Sequence, residues 1–305
     1  MRQVTVSIPA TSANLGPGFD CLGLALDLRH VVTFSNRSDR GLKISAQGED
    51  AEKIPLDSSN LVYQACEIIF RRCGNRPTGL TIHQDNNIPI GSGLGSSSSA
   101  ILAGLFGANV LSGNHLSASE ILQIATDLEG HPDNVAPAVY GGLVLGVQGP
   151  SGLIVDQIEV PPLRVAIVLP DYELLTIDAR AALPVEVPLN DAIFNSSRLG
   201  LLIRALQAAD YKKLKIAMQD RLHQPYRVPL IPGMKEAFDA SKAAGAAGVA
   251  LSGAGPSLLA FAPEGLEAIA DAAAASFQKA GLSSRIWLLS IDTSGVIIKD
   301  DGSQS

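Results

Sequence analysis

The sequence predicts an α+β protein in two domains. Three observations carry this expectation. The 305 residues suffice for two ordinary domains. Hydrophobic residues reach 46% against 17% charged, which excludes disorder and implies a large buried core. Strand-like and helix-like segments mix without the strict βαβ rhythm of a doubly wound sheet.

The first half opens with strand patterns at 4–8 (VTVSI), 21–28 (CLGLALDL), 30–35 (HVVTFS) and 42–47 (LKISAQ). Between the first two, ATSANLGPGFD is dense in Gly and Pro and reads as a shaped loop. Residues 60–72 (NLVYQACEIIFRR) read as a helix and 79–84 (GLTIHQ) as a strand. PIGSGLGSSSSA (89–100) then leads directly into an apolar helix with Ala100, Ala103, Leu105 and Phe106 available for burial. A further helix is expected at 117–129. Ser117 and Glu120 have capping-box spacing, Ile121, Ile124, Ala125 and Leu128 keep helical period, and Gly130 stands where a terminating glycine belongs. GGLVLGV (141–147) and the apolar runs near 153–169 read as strands, with Pro161 and Pro162 as a hinge.

The second half reads as helices near 191–218 and 233–244, strands at 248–252 and 257–262, an alanine-rich helix at 265–280 and a strand at 285–291. The expected division is 1–160 and 161–298, with a frayed tail at 299–305.

Composition narrows the function classes. The formal net charge is −7 and no run of Lys or Arg marks a nucleic-acid or membrane surface, so neither partner is expected. Cys21, Cys66 and Cys73 form no CxxC and leave an odd count. A reducing cytoplasm therefore fits better than a disulfide framework. The opening MRQVTVSIPATSAN lacks an uninterrupted apolar core, and no apolar run could span a bilayer, so no signal peptide or membrane span is expected.

The serine run invites three readings: a flexible linker, a serine-rich helix start, or a phosphate cradle. A linker fits poorly because the serines run straight into an apolar helix. Helix N-termini carry unsatisfied N–H groups and partial positive charge, and glycines before them let backbone approach a phosphate closely. The GxxxxGK[ST] loop is absent, since no lysine follows the glycines. The dinucleotide fingerprint also fails, because DNNIPI intervenes before GSGLGS and no acidic residue stands about 20 positions on.

Two further glycine segments flank this one in order: ATSANLGPGFDCLGLALDL (10–28) and LSGAGPSLLAFA (251–262). Together the three resemble the motifs of the GHMP kinases (galactokinase, homoserine, mevalonate and phosphomevalonate kinases), and the resemblance covers most of the chain. EGHPDNVAPAVYGG (129–142), TIDARAALP (176–184) and QPYRVPLIPG (224–233) look like the homoserine kinase branch. The resemblance implies an N-terminal nucleotide-binding domain carrying the glycine–serine loop and a ferredoxin-like α+β C-terminal domain. It also implies ATP-dependent phosphorylation of the L-homoserine hydroxyl, a step of threonine biosynthesis, with Mg2+ as cofactor. Relatives are often dimers, so a homodimer is an expected assembly.

The resemblance assigns residues as follows. Ser97 and Glu129 would hold the metal. Glu129 has a physical hint of its own, because a carboxylate at a helix C-terminus faces the negative end of the dipole, which a bound cation would offset. In some relatives further residues separate this glutamate from the HxDN element, whereas here only Gly130 intervenes. Pro89, Gly91, Ser92, Gly93, Leu94, Gly95, Ser96, Ser97 and Ser98 would surround the nucleotide phosphates. Asn60 would reach the adenine, or only cap its helix. For a zwitterionic acceptor, Arg180 and Arg227 would fork the carboxylate, or pair with a local Asp or Glu. Asp20 would take the ammonium, Asn14 and Asn134 would bind the ammonium or the hydroxyl, and His131 would join the acceptor site from the same loop or make only a structural hydrogen bond. Asp133 matches the catalytic base of mevalonate-type relatives. A reaction without a dedicated base is equally open, since a loose transition state asks little of the nucleophile, so Asp133, Asn134 and Glu129 stand together as the catalytic set. Gly253, Ala254 and Gly255 would place backbone amides near the γ-phosphate or the acceptor hydroxyl, unless SGAGPS is only a hairpin turn.

Overall fold

The computed structural model describes residues 2–150 and 152–302. The chain begins with a long hairpin, β1 (Gln3–Asn14) and β2 (Gly18–Arg37), followed by β3 (Gly41–Gly48), α1 (Leu61–Cys73) and β4 (Gly79–Asn86). Then come α2 (Ser96–Ser112), α3 (Ala118–Glu129), α4 (Val135–Tyr140), β5 (Leu143–Gly149) and β6 (Gly152–Ile158). The second half holds β7 (Arg164–Pro170), α5 (Thr176–Ala181), α6 (Leu189–Gln207), α7 (Tyr211–Ala217), α8 (Gln224–Arg227) and α9 (Met234–Ala243). It closes with β8 (Gly248–Leu251), β9 (Leu258–Phe261), α10 (Leu266–Lys279), β10 (Ser284–Ser290) and β11 (Ile297–Asp300).

Among the described residues the strands form two sheets. The first runs β11-β1-β2-β4-β3, with β5 on β2 and β6 on β5. It is antiparallel except for β3 against β4. The second runs β10-β7-β9-β8, all antiparallel. With its helices this order is the split βαβ arrangement of a ferredoxin-like unit, as expected.

Apolar periodicity places the cores. One face of the first sheet packs on α1 to α4, with Phe34, Ile69, Leu102 and Leu105 wholly or nearly buried between them. α2 is apolar on every side and sits in the middle of this layer, so its N-terminus is held rigidly. α9 and α10 cover the second sheet through Met234, Ala237, Ile269 and Phe277. A third cluster joins the two halves, with Leu15, Leu22 and Leu24 packed among Leu202, Leu206, Met218 and Phe261.

Four expectations are corrected here. The proposed loop over ATSANLGPGFD is mostly strand. β1 continues to Asn14 and β2 restarts at Gly18, with register shifts at Pro9/Ala10 and Ala13/Asn14 absorbing the irregular residues. The helix expected near 191–218 breaks at Ala209, whose φ of +47° ends α6 before α7 begins. The short α5 and α8 did not appear in the pattern. Finally, Lys299 and Asp300, expected in a frayed tail, pair in β11 with Thr5 and Val4. Residues 303–305 of that tail lie outside the described residues.

Candidate active site

Three chain segments converge beside the N-terminus of α2. Thr11 N–H donates to the Leu94 carbonyl at 3.0 Å, and Gly253 N–H to the Ala13 carbonyl at 3.1 Å. Ser252 Oγ bridges Ser12 Oγ (2.8 Å) and the Gly93 carbonyl (2.7 Å). Two glycines make this approach feasible. Gly93 has φ +77°, and a Cβ there would lie 2.3 Å from the Ser252 carbonyl oxygen. At Gly95, φ +71°, it would lie 2.1 Å from Thr11 Oγ1. Only glycine tolerates both the left-handed backbone and the contact.

The cleft between these segments gathers most of the residues singled out above: Asn14, Asp20, Gly91, Ser92, Gly93, Gly95, Ser96, Ser97, Ser98, Glu129, His131, Asp133, Asn134, Arg180, Arg227 and Gly253. Gly95 caps α2, so the N–H groups of Ser96, Ser97 and Ser98 occupy its first turn, where no intrahelical acceptor exists. The serines have separate places. Ser97 is exposed and its Oγ donates to Glu129 Oε1 at 2.6 Å. Ser98 and Ser99 are buried, and Ser99 Oγ donates to the Ser96 carbonyl. Ser92 Oγ donates to the Pro89 carbonyl and accepts from Leu94 N–H, so it braces the loop from inside.

Pro89 and Leu94 are buried and support the loop without lining the cleft. Asn60 takes the capping role. Its Oδ1 accepts from Tyr63 N–H and its Nδ2 donates to the Pro55 carbonyl, which leaves one amide hydrogen uncommitted. It lines an adjoining, mainly apolar cavity of about 250 Å3 with Ile54, Pro55, Leu61, Val62 and Ile90, which meets the cleft at Gly91, Ser96 and Ser97.

The far end of the cleft is charged. Arg180 on α5 forks Asp20 through two hydrogen bonds of 2.8 and 3.0 Å. That hydrogen bond raises the Arg180 pKa. Arg227 at the end of α8 is buried, and among the described residues no carboxylate lies within 4 Å of it. Its Nε donates to the Ala179 carbonyl at 3.2 Å and its Nη1 to the Gly253 carbonyl at 3.4 Å. Burial pushes its pKa down and Arg180 adds repulsion, against the pull of Asp20, Asp133 and Asp220. A guanidinium does not shed its proton, so Arg227 remains a cation in this buried place.

Asn14, in the left-handed region at φ +70°, steadies this end. Its Oδ1 accepts from Asp20 N–H and its Nδ2 donates to the Gly253 carbonyl, leaving one amide hydrogen free. His131 Nδ1 and Asp133 Oδ1 are 2.5 Å apart. Burial opposes charge on His131, but the hydrogen bond to Asp133 and the charges of Asp133, Asp20 and Glu129 outweigh it and raise the pKa. Asn134 Oδ1 accepts from Thr11 Oγ1 at 2.9 Å. Asp20, His131 and Asp133 could also group around an ion, but each is already paired within the protein.

Thr176, Phe19 and His223 were not foreseen. Thr176 lines the cleft one helical turn before Arg180, a spacing of four that does signal a shared face. Phe19 lies under both arginines, with guanidinium carbons 5.6 and 5.2 Å from its ring centre.

Residues 60–142 match the description of the GHMP kinases N terminal domain, and residues 202–279 that of the GHMP kinases C terminal. The chain belongs to the GHMP kinase family. GHMP kinases similar to it include the homoserine kinase of Synechococcus, 44% identical over 98% of this chain and 99% of that protein. The homoserine kinase of Carboxydothermus hydrogenoformans is 45% identical over 93% of each. Among solved structures, homoserine kinase from Cytophaga hutchinsonii superposes with a TM-score of 0.86 at 32% identity, covering 97% of both chains. As a GHMP kinase the chain is an ATP-dependent phosphotransferase acting on a hydroxyl group. No helix among the described residues is long and apolar enough to cross a membrane.

Proposed function

We propose that this GHMP kinase phosphorylates L-homoserine to O-phospho-L-homoserine, serving threonine biosynthesis in the cytoplasm. The observation that carries the reading is the charge arrangement at the acceptor end. A buried Arg227 without a carboxylate partner among the described residues stands beside the Arg180–Asp20 pair, so one site offers cations for a carboxylate and an anion for an ammonium. A zwitterionic amino acid matches both. A hydroxy acid such as mevalonate has no ammonium to offer Asp20, whose cation would then be Arg180 alone. The names of the relatives above support the same reading.

In this reading the first-turn amides of α2 and the loop from Gly91 to Ser98 hold the triphosphate, and the adjoining apolar cavity takes the base. Ser97 and Glu129 supply the hydroxyl and carboxylate oxygens that a hard divalent ion selects, and their contact across the cleft fits Mg2+. Bound there, Mg2+ would neutralise charge on the β- and γ-phosphates. Arg227 and Arg180 take the acceptor carboxylate, Asp20 the ammonium, and Asn14 keeps Asp20 in place. The bond from the γ-phosphorus to the β–γ bridging oxygen would then break, leaving ADP, as the γ-phosphoryl group passes to the hydroxyl oxygen, whose proton goes to solvent. Asp133 Oδ1 is already engaged by His131 Nδ1, and a loose transition state asks little of the nucleophile. Positioning and charge neutralisation therefore carry most of the rate. Residues 1–160 would form the nucleotide domain and 161–298 its partner, except that β11 closes onto the first sheet. The assembly would be a homodimer, which sedimentation tests.

The function is tested by coupled ADP release with homoserine, threonine, mevalonate, galactose and shikimate as acceptors. Turnover is expected with homoserine above all others. Turnover with mevalonate and none with homoserine overturns the reading.

A further inference from the structure

His223 lies one helical turn before Arg227 and is wholly buried. Three contacts fix its ring. Nε2 meets the Gly16 carbonyl at 2.9 Å. Phe19 stacks on it, with centroids 5.1 Å apart and planes at 20°. Nδ1 faces Arg227 Nη1 at 3.4 Å. Gly16 packs closely against Met218, since a Cβ on the glycine would sit 2.4 Å from the Met218 carbonyl oxygen.

These partners select one form of the imidazole. A carbonyl at Nε2 requires a proton there, and a guanidinium, which has only donors, requires a bare lone pair at Nδ1. Burial favours the same neutral ring by lowering the pKa, against the pull of Asp220 at 3.6 Å. Arg227 is also anchored by the Ala179 and Gly253 carbonyls at 3.2 and 3.4 Å, so that all three contacts, His223 included, are long for charge-assisted bonds.

We infer that His223 is a positioning residue for acceptor recognition. As a neutral Nε2–H imidazole it accepts from Arg227 Nη1 and keeps the remaining edge of that guanidinium facing the cleft. Through Phe19 and Gly16 it also ties α8 to the β1–β2 turn that presents Asp20. The identity of the ligand carboxylate rests on the proposed function, whereas the orientation of Arg227 rests on the geometry alone.

Two measurements on the full chain separate these levels. In 15N NMR near neutral pH, His223 should carry its proton on Nε2, and its Nδ1 resonance should move in Arg227→Ala. A proton on Nδ1, a doubly protonated ring, or an Nδ1 signal indifferent to Arg227→Ala overturns the inference, whatever the substrate. In kinetics, His223→Phe keeps an aromatic ring against Phe19 but offers no acceptor. It should lower kcat/KM for homoserine by about tenfold, the value of one hydrogen bond to a charged group, while leaving the KM for ATP within about twofold. His223→Gln, whose amide oxygen can accept, should recover part of the loss, and it serves alone if the phenylalanine variant does not fold. In an Arg227→Ala background the His223 substitutions should add little. An equal loss for both substrates, or a full loss in that background, marks a packing role and overturns the inference. Wild-type protein that shows the expected NMR signature but does not bind homoserine overturns the proposed function and leaves the orientation of Arg227 standing.

Discussion

The two ends of the cleft are built in different ways. The phosphate end is almost entirely backbone: one contiguous stretch supplies a helix N-terminus and glycines at φ +67°, +77° and +71°. The acceptor end is almost entirely side chain, and its partners come from distant segments, Arg180 and Asp20 being 160 positions apart. In the proposed function the backbone site would bind what all triphosphates share, and the side-chain site of opposed charges would select one acceptor among many. The difference teaches where generality and specificity reside in this chain, and it can be broken at four points.

The largest effect should come where the two ends touch. Gly93→Ala places a methyl group against the Ser252 and Gly255 carbonyls in a left-handed backbone. It should destabilise the fold by about 3 kcal/mol and weaken ATP and acceptor binding together. Thermal unfolding and calorimetry check this, and an ATP affinity left intact would separate the ends more fully than claimed.

Glu129→Gln should act on the reaction rather than on binding. We expect kcat to fall by about 100-fold at saturating magnesium, with ATP affinity changed far less. Unchanged turnover would remove Glu129 from the site. Asp133→Asn sharpens the acceptor end. With His131 already engaging the carboxylate, kcat should fall by about tenfold, below the range of about 100- to 10,000-fold for a lost general base. A fall of about ten-thousandfold would make Asp133 that base.

The smallest effect concerns pH. The pKa of His131 is raised above its ordinary 6.5, so its pairing with Asp133 stabilises the fold fully below 6.5 and is lost as pH rises through the raised value. The stability gap between wild type and His131→Gln, read from denaturant midpoints, should therefore be widest in mild acid and shrink in mild alkali. A gap that widens with pH would contradict the pairing.

The same contrast explains what was legible in the sequence. Backbone conformation leaves a mark on sequence, because only glycine enters some φ regions at close contact. The capping box at Ser117 could be read directly, and the glycines of the loop marked a close approach, although Gly93 and Gly95 were expected to face phosphate and not the Ser252 carbonyl and Thr11. Ser97 and Glu129 came only through the family resemblance, although the carboxylate at a helix C-terminus was a physical hint. The stack of Phe19 on His223 and the bridge from His223 to Gly16 join residues about 200 apart, and nothing local in either segment announces the other. β11 was hidden because KDDG is polar and turn-like, and its pairing depends on the free edge of β1. Asn60 shows a residue type that serves two purposes, since it caps α1 and also lines the adjoining cavity.

The division of labour along the cleft is tested most directly by calorimetric titration of Arg227→Ala with ATP and with homoserine. The account predicts ATP affinity close to wild type and homoserine affinity reduced by about 100-fold or more, the consequence of losing a buried charge-assisted pair. Reduced ATP affinity with homoserine binding intact would place Arg227 at the phosphate end and contradict the account.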